Sequence, residues 1–226
     1  EGDGETLRPL SSLTRAETAV ILINAVDSVN PSANQGGMQP PSGNMPGGFG
    51  GSDTVTQGTS ATTITEDGTY SSTSYSSTGD DENALRVDGA TVTLDSVTVD
   101  KSAGSSSNTE DGDFYGQNAS LLATNGANVT IKNATLNSSA QNGNGIFSYG
   151  TGTTVNVSDS TITTTADNSG GIQTTGGGTT NATNLTVNTS GNSAAAIRSD
   201  RGGGTVVVDK GTYTSNDYNS PAVYST

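Results

Sequence analysis

GIFSYGTGTTVNVSDSTITTTADNSG (residues 145–170) and GIQTTGGGTTNATNLTVNTSGNSAA (residues 171–195) are two versions of one pattern. Each opens with Gly-Ile, passes through a glycine-rich turn and an alternating stretch, bends, alternates again and closes in a polar loop. Working outward, the same plan occurs five times between Ala84 and Thr226. Its clearest anchors, Leu94, Ile131, Val157, Ala182 and Val208, are spaced 37, 26, 25 and 26 residues apart. The long first interval is one period plus an insertion. A second set follows five residues behind: Val99, Leu136, Ile162, Val187 and Tyr213. A third precedes them: Leu85, Leu122, Ile146, Ile172, Ile197 and Val223. A period of this length marks a stacked repeat, and the alternation within it marks strands.

Composition agrees. Hydrophobic residues make up 29% of the 226 and aromatics 4%, too little for the core of an ordinary globule of this length. A β-solenoid needs only a narrow apolar column fed by a few inward positions per coil. Three short strands per coil predict an all-β parallel β-helix, taken as right-handed, about 25 residues per coil. Five coils at ~4.8 Å each give a rod on the order of 24 Å long. Glycines at 89, 126, 150, 152, 176–178 and 202–204 supply the bends between first and second strands. Alternation turns Val97/Val99, Ala134/Leu136, Ser160/Ile162, Leu185/Val187 and Gly211/Tyr213 inward.

The formal net charge is −14, with eight basic residues scattered along the chain. That disfavours nucleic acid and anionic membrane surfaces as partners, since both need clustered Lys and Arg. Cys and His are both absent, which removes disulfides, thiolate metal sites and the usual general base. No stretch approaches the ~20 apolar residues of a membrane span.

Residues 59–83 read as an irregular first coil or cap, and residues 28–58, rich in Gly and Pro, as a linker. Residues 1–27 differ from the rest. Thr14 and Glu17 have capping-box spacing, and the run from Thr18 to Val26 predicts a helix. Gly4-Glu5-Thr6-Leu7-Arg8-Pro9, then Leu13-Thr14-Arg15-Ala16-Glu17 and this helix resemble the second half of an S-layer homology motif. Such modules bind cell-wall secondary polymers, usually as three copies. The resemblance therefore implies a wall anchor of which one partial copy is present. Ala222-Val223-Tyr224-Ser225-Thr226 restarts the repeat, so the chain is expected to be a piece of a longer solenoid, truncated at its C-terminal end.

Three surfaces are candidate sites. The opening strands are expected to turn Arg86, Ala123, Phe147, Gln173, Arg198 and Tyr224 outward, with Tyr149, Asp200 and Arg201 extending the face. Guanidiniums, an amide and aromatic rings on one surface suit a sugar, by stacking and by hydrogen bonds to hydroxyls or carboxylates. The insertion carries Glu110, Asp111 and Asp113, and Asp80-Asp81-Glu82 forms a second acidic cluster. Such hard oxygen ligands suit calcium, without the later ligands of an EF-hand; no other cofactor is expected. The third strands present Thr98, Thr135, Thr161, Thr186 and Thr212 outward, followed by Asp100, Asn137, Thr163, Asn188 and Thr214. This ladder resembles the ice-binding face of some antifreeze proteins.

Many right-handed β-helices cleave polysaccharides. The hydrolases use several Asp carboxylates, typically with His and Arg-x-Lys, and neither of the latter occurs here. The lyases use calcium with an Arg or Lys base, which only Arg198 or Arg201 beside Asp200 would imitate, and a guanidinium is a poor base near neutral pH. The repeats, the acidic Thr/Asn/Gly surface, the linker and the S-layer-like start resemble adhesin-like β-helix proteins of Gram-positive bacteria. That resemblance implies a non-catalytic, extracellular rod on the bacterial wall that binds a glycan or another host or cell-surface ligand. A structural spacer or surface-layer component, a lyase or hydrolase fragment, and an ice binder are the alternatives.

Overall fold

The computed structural model describes residues 54–226 and the two-residue strand β1 (Ile23–Asn24). The S-layer-like segment and most of the linker lie outside the described residues. Within the expected helix, Ile23 and Asn24 instead pair antiparallel with Val206 and Thr205.

The repeat forms a parallel β-solenoid of about six turns. Numbered in chain order, its first strands are β2 (Thr59–Ile64), β5 (Glu82–Asp88), β8 (Leu121–Thr124), β11 (Ile146–Tyr149), β14 (Ile172–Thr175), β16 (Ile197–Ser199) and β18 (Val223–Ser225), stacked in one seven-stranded sheet. The second strands are β3 (Gly68–Ser71), β6 (Thr91–Asp95), β9 (Asn128–Lys132) and β12 (Thr154–Ser158). The third are β4 (Ser74–Ser77), β7 (Thr98–Lys101), β10 (Thr135–Ser138) and β13 (Thr161–Thr164). In the last two full coils the second and third strands run on as the twelve-residue β15 (Gly178–Thr189) and β17 (Gly204–Ser215). Residues 59–77 form a regular coil rather than an irregular cap: β2, β3 and β4 each pair in parallel with the coil above.

The apolar columns fall where the period places them. Leu94, Ile131, Val157, Ala182 and Val208 are in register, and so are Val99, Leu136, Ile162, Val187 and Tyr213. All but the half-buried Tyr213 are buried, and each inward Ile or Leu contributes about 1.5–3 kcal/mol by leaving water. Burial, with Asp209 adding to it, pushes the Tyr213 hydroxyl up to about 12. One column is displaced from expectation. Leu121, not Leu122, pairs with Leu85 and Ile146 and points inward, together with Ala123. In Leu121-Leu122-Ala123 every residue is apolar, so alternation cannot choose between two registers that differ by one residue. Leu122 therefore replaces Ala123 in the outward column between Arg86 and Phe147.

Two bends repeat with left-handed backbone. Between second and third strands stand Ser72, Ser96, Asn133, Asp159, Asn184 and Lys210, with φ between 48° and 62°. Between third and first strands stand Asp81, Asn118, Asn142, Asn168, Ser193 and Asn219, with φ between 53° and 68°. Asn and Asp tolerate this region better than other side chains do, because their short polar groups bond locally. The second set forms a polar ladder along one edge of the first-strand sheet. Beside it, the inward column Ser77, Lys101, Ser138, Thr164, Thr189 and Ser215 lines the corner, and Lys101 is fully buried there. Its ammonium donates to the Gly79 carbonyl and, at 3.2 Å, to Ser77 Oγ. Burial pushes the lysine down, against the pull of Glu82, Asp80 and Asp81.

The register is open to a paired test. Ile162→Asp or Val187→Asp places an unpaired carboxylate in the apolar column and should abolish the cooperative β-sheet melt. Thr161→Ser, on the exposed face, should change stability by less than about 0.5 kcal/mol. A folded Ile162→Asp beside a damaged Thr161→Ser would mean that these strands face the other way.

Candidate functional site

The insertion between β7 and β8 folds into the one helix of the described residues, α1 (Thr109–Tyr115). Asn108 caps its start, accepting from the Glu110 N–H at 3.1 Å. Gly116 ends it in the left-handed region at φ 80°, its N–H returning to the Asp111 carbonyl. Two glycines let the helix lie close on the sheet. A Cβ on Gly112 would stand 2.5 Å from Asn142 Cβ, and one on Gly116 2.8 Å from Leu122 and Phe147. Beneath lies a small second core of Ala119, Leu122 and Phe147, with Tyr149 against it.

Helix ends leave backbone carbonyls without internal partners. Here side chains from well-separated parts of the rod supply the missing donors. Gln173 donates to the Asp113 carbonyl, Thr175 to Phe114 at 2.7 Å, Gln57 to Tyr115 at 2.9 Å and Asn83 to Gly116 at 2.8 Å. Asn142 adds a bond to Asp113 Oδ1 at 2.9 Å. Two contacts reach further. Arg198 Nη1 lies 3.4 Å from Asp113 Oδ1, and the Arg201 guanidinium sits 3.9 Å from the Phe114 ring centroid, with Glu110 at 3.4 Å. The Arg201–Glu110 pair is about half exposed and contributes little.

This arrangement corrects the expectation of an open outward face. Phe147 and Gln173 are fully buried beneath α1. Tyr149 packs edge-on against Tyr115, centroids 5.7 Å apart. Arg86 is spent on the carbonyls of Gln57, Gly58 and Thr59 and on Asn83 Oδ1, and burial lowers its pKa. Of the predicted residues, Arg198 and Tyr224 remain together at one open place, the guanidinium 5.5 Å from the ring centroid.

That place is a cleft of about 200 Å³ lined by Asp113, Asn168, Ser193, Ala195, Arg198, Asn219, Pro221 and Tyr224. Three of these, Asn168, Ser193 and Asn219, belong to the left-handed corner ladder. α1 covers the part of that ladder at Asn142, and the cleft lies over the later rungs. The Asn168 side chain makes no hydrogen bond among the described residues, while Asn219 Nδ2 donates to Ser193 Oγ at 3.1 Å. Arg198 is held between Asp113 and Asp200, with its Nη2 and Nε 2.7 and 3.0 Å from Asp200 Oδ2.

The acidic residues take separate tasks. Asp80 and Asp81 accept from the backbone N–H groups of Ser105 and Ser107, at 2.8 and 2.6 Å, and act on buried Lys101. Glu110 faces Arg201, Asp113 faces Arg198 and Asn142, and Asp111 is shifted up by burial. Among the described residues no three carboxylates converge into a metal-sized group. The repeat pattern predicts neither the helix, nor the corner ladder, nor the burial of Lys101. The ladder left a visible signal, since Asn118, Asn142, Asn168, Ser193 and Asn219 are 24, 26, 25 and 26 residues apart. No helix among the described residues is long and apolar enough to cross a membrane.

Comparison with protein-family profiles, curated proteins and solved structures finds no match.

Burial raises the Asp113 carboxyl above its ordinary value, more than Arg198 and Asn142 lower it. The folded state thus holds this proton more tightly than the unfolded chain does. The group's contribution to stability is greatest at acid pH and declines as pH rises through the raised folded value. Melting Asp113→Asn beside the parent protein from about pH 4 to pH 7 should show a difference that moves in the variant's favour as pH rises. A difference independent of pH would place the carboxyl in solvent.

Proposed function

We propose that this protein is a non-catalytic, extracellular β-helix of a bacterial cell surface that recognises a glycan at the α1 cleft. The cleft itself carries the reading. An exposed tyrosine ring, an amide that makes no side-chain hydrogen bond among the described residues and a largely buried guanidinium–carboxylate cluster converge on a concavity of about 200 Å³. An aromatic face stacks on a pyranose ring, and a few fixed polar groups select among its hydroxyls. The rigid stack of coils beneath supports the arrangement at little ordering cost on binding. The wall location and the cell-wall polymer as a partner rest on the S-layer-like residues of the sequence alone. Calcium is not assigned to the cleft, where Asp113 is already engaged by Arg198 and Asn142.

Catalysis is the weaker reading. A glycosidase needs two carboxyls flanking the scissile bond, each free to act on it as acid, base or nucleophile. Asp113 and Asp200 instead share one guanidinium. One observation favours a second reading. Thr98, Thr135, Thr161, Thr186 and Thr212 stand in register and exposed on the third face. An ordered lattice such as ice is the partner such a ladder would meet, and thermal hysteresis would support it.

A broad glycan array probed with the protein tests the primary reading. A defined set of oligosaccharides should bind, and Tyr224→Ala or Asn168→Ala should weaken binding at least about tenfold while leaving the melt intact. Absence of binding to any glycan would favour a structural rod.

A further inference from the structure

Resting on the glycan reading above, we infer that the cleft binds a linear oligosaccharide laid parallel to the rod axis, about one sugar per coil, with one chain end stopped against α1. The lining carries the direction. Asn168, Ser193 and Asn219 are the same corner position in three successive coils. Backbone bonds join these rungs, from the Asn168 N–H to the Asn192 carbonyl at 2.8 Å and from the Ser193 N–H to the Tyr218 carbonyl at 3.1 Å. Two residues beyond the corner stand Ala195 and Pro221, both compact and apolar, and three beyond those Arg198 and Tyr224, paired in register. Across a coil the lining therefore changes from a polar side chain to a compact apolar one to a planar group. Along the axis each of these kinds repeats.

A ligand that meets the same kinds of group at every step must itself repeat along that direction. Parallel strands put the steps about 4.8 Å apart, close to the advance per residue of an extended pyranose chain. The three rungs span on the order of 10 Å, more than a single sugar covers. Each residue of the chain would turn hydroxyls toward a corner side chain and its ring toward the Arg198–Tyr224 row.

Toward α1 the same surface is closed. One coil before Asn168 the corner rung is Asn142, which is fully buried, and a Cβ on Gly112 of α1 would stand 2.5 Å from its Cβ. Gln173, which precedes Arg198 and Tyr224 in their row, is buried under the same helix. Asp113 bounds the cleft on that side, fixed by Asn142 at 2.9 Å and by Arg198 at 3.4 Å. The helix thus fills the place that the next sugar in that direction would take. A chain enters the cleft with a terminus at Asp113, and its remaining residues run toward Asn219 and Tyr224.

Ladders of linear oligosaccharides of one linkage and increasing length, titrated by calorimetry with the whole chain, test the direction. Affinity should rise at least about tenfold from the monosaccharide to the length that fills the three rungs, and then level off. A monosaccharide that binds as tightly as any longer member would overturn the axial run and leave the glycan reading standing. Partial enzymatic hydrolysis of the parent polysaccharide multiplies chain ends at constant sugar mass. It should raise the potency of that polysaccharide as a competitor in proportion to the ends created, and unchanged potency would overturn the stop at α1. Failure of every sugar to bind would overturn the glycan reading and this inference with it.

Discussion

Each coil of the solenoid must hydrogen-bond to the coils above and below along all three strands, and every other feature yields to that constraint. Because the strands are parallel and stacked in register, a residue's neighbours lie about one period away on either side. An apolar residue at one inward position therefore demands apolar residues in the same column of the next coil, and a left-handed bend demands residues that tolerate it. The ladder also decides where extra chain can go. The insertion leaves at the corner between a third and a first strand, so β7 and β8 still pair with their neighbours on both sides.

Once outside the rod, the inserted segment needs partners of its own. A helix of seven residues is too short to be stable alone. α1 persists because its two close-packed glycines bring it onto Leu122 and Phe147, and because the rod supplies donors for its last carbonyls. Those donors come from positions as far apart in sequence as Gln57 and Thr175, so the helix clamps several coils at once. Where it stops covering the corner ladder, Asn168, Asn219, Arg198 and Tyr224 are left around a concavity. The proposed binding cleft is thus a by-product of docking an insertion on a repeat, and it takes its polar lining from the repeat's own bends.

The sequence displayed the repeat and hid what the insertion does to it. Ile162 and Val187 were readable as inward because alternation and period agree there. Leu121 and Leu122 were not separable, because both are apolar and the period passes through an interval of altered length. Phe147, Gln173 and Arg86 point away from the solenoid core, as alternation predicts, yet outward does not mean exposed. Phe147 and Gln173 are covered by α1, and Arg86 is turned onto backbone carbonyls. That outcome depends on tertiary contacts between residues up to about ninety positions apart, such as Arg201 and Glu110, which no local pattern encodes. Lys101 shows the same limit. It occupies an inward column otherwise filled by Ser and Thr, and its burial is tolerable only because the Gly79 carbonyl and nearby carboxylates meet its charge.

The docking of α1 on the first-strand sheet is the claim on which the cleft depends, and the absence of cysteine from the chain makes it directly measurable. Single variants Leu122→Cys and Thr161→Cys both place a thiol on an outward position of the solenoid, one beneath α1 and one on the open third face. Under native conditions Thr161→Cys should react with maleimide as fast as a free thiol, and Leu122→Cys should be strongly protected until the protein is unfolded. Equal, rapid labelling of the two would contradict the account, since α1 would then not cover the face and the cleft beside it would have no wall.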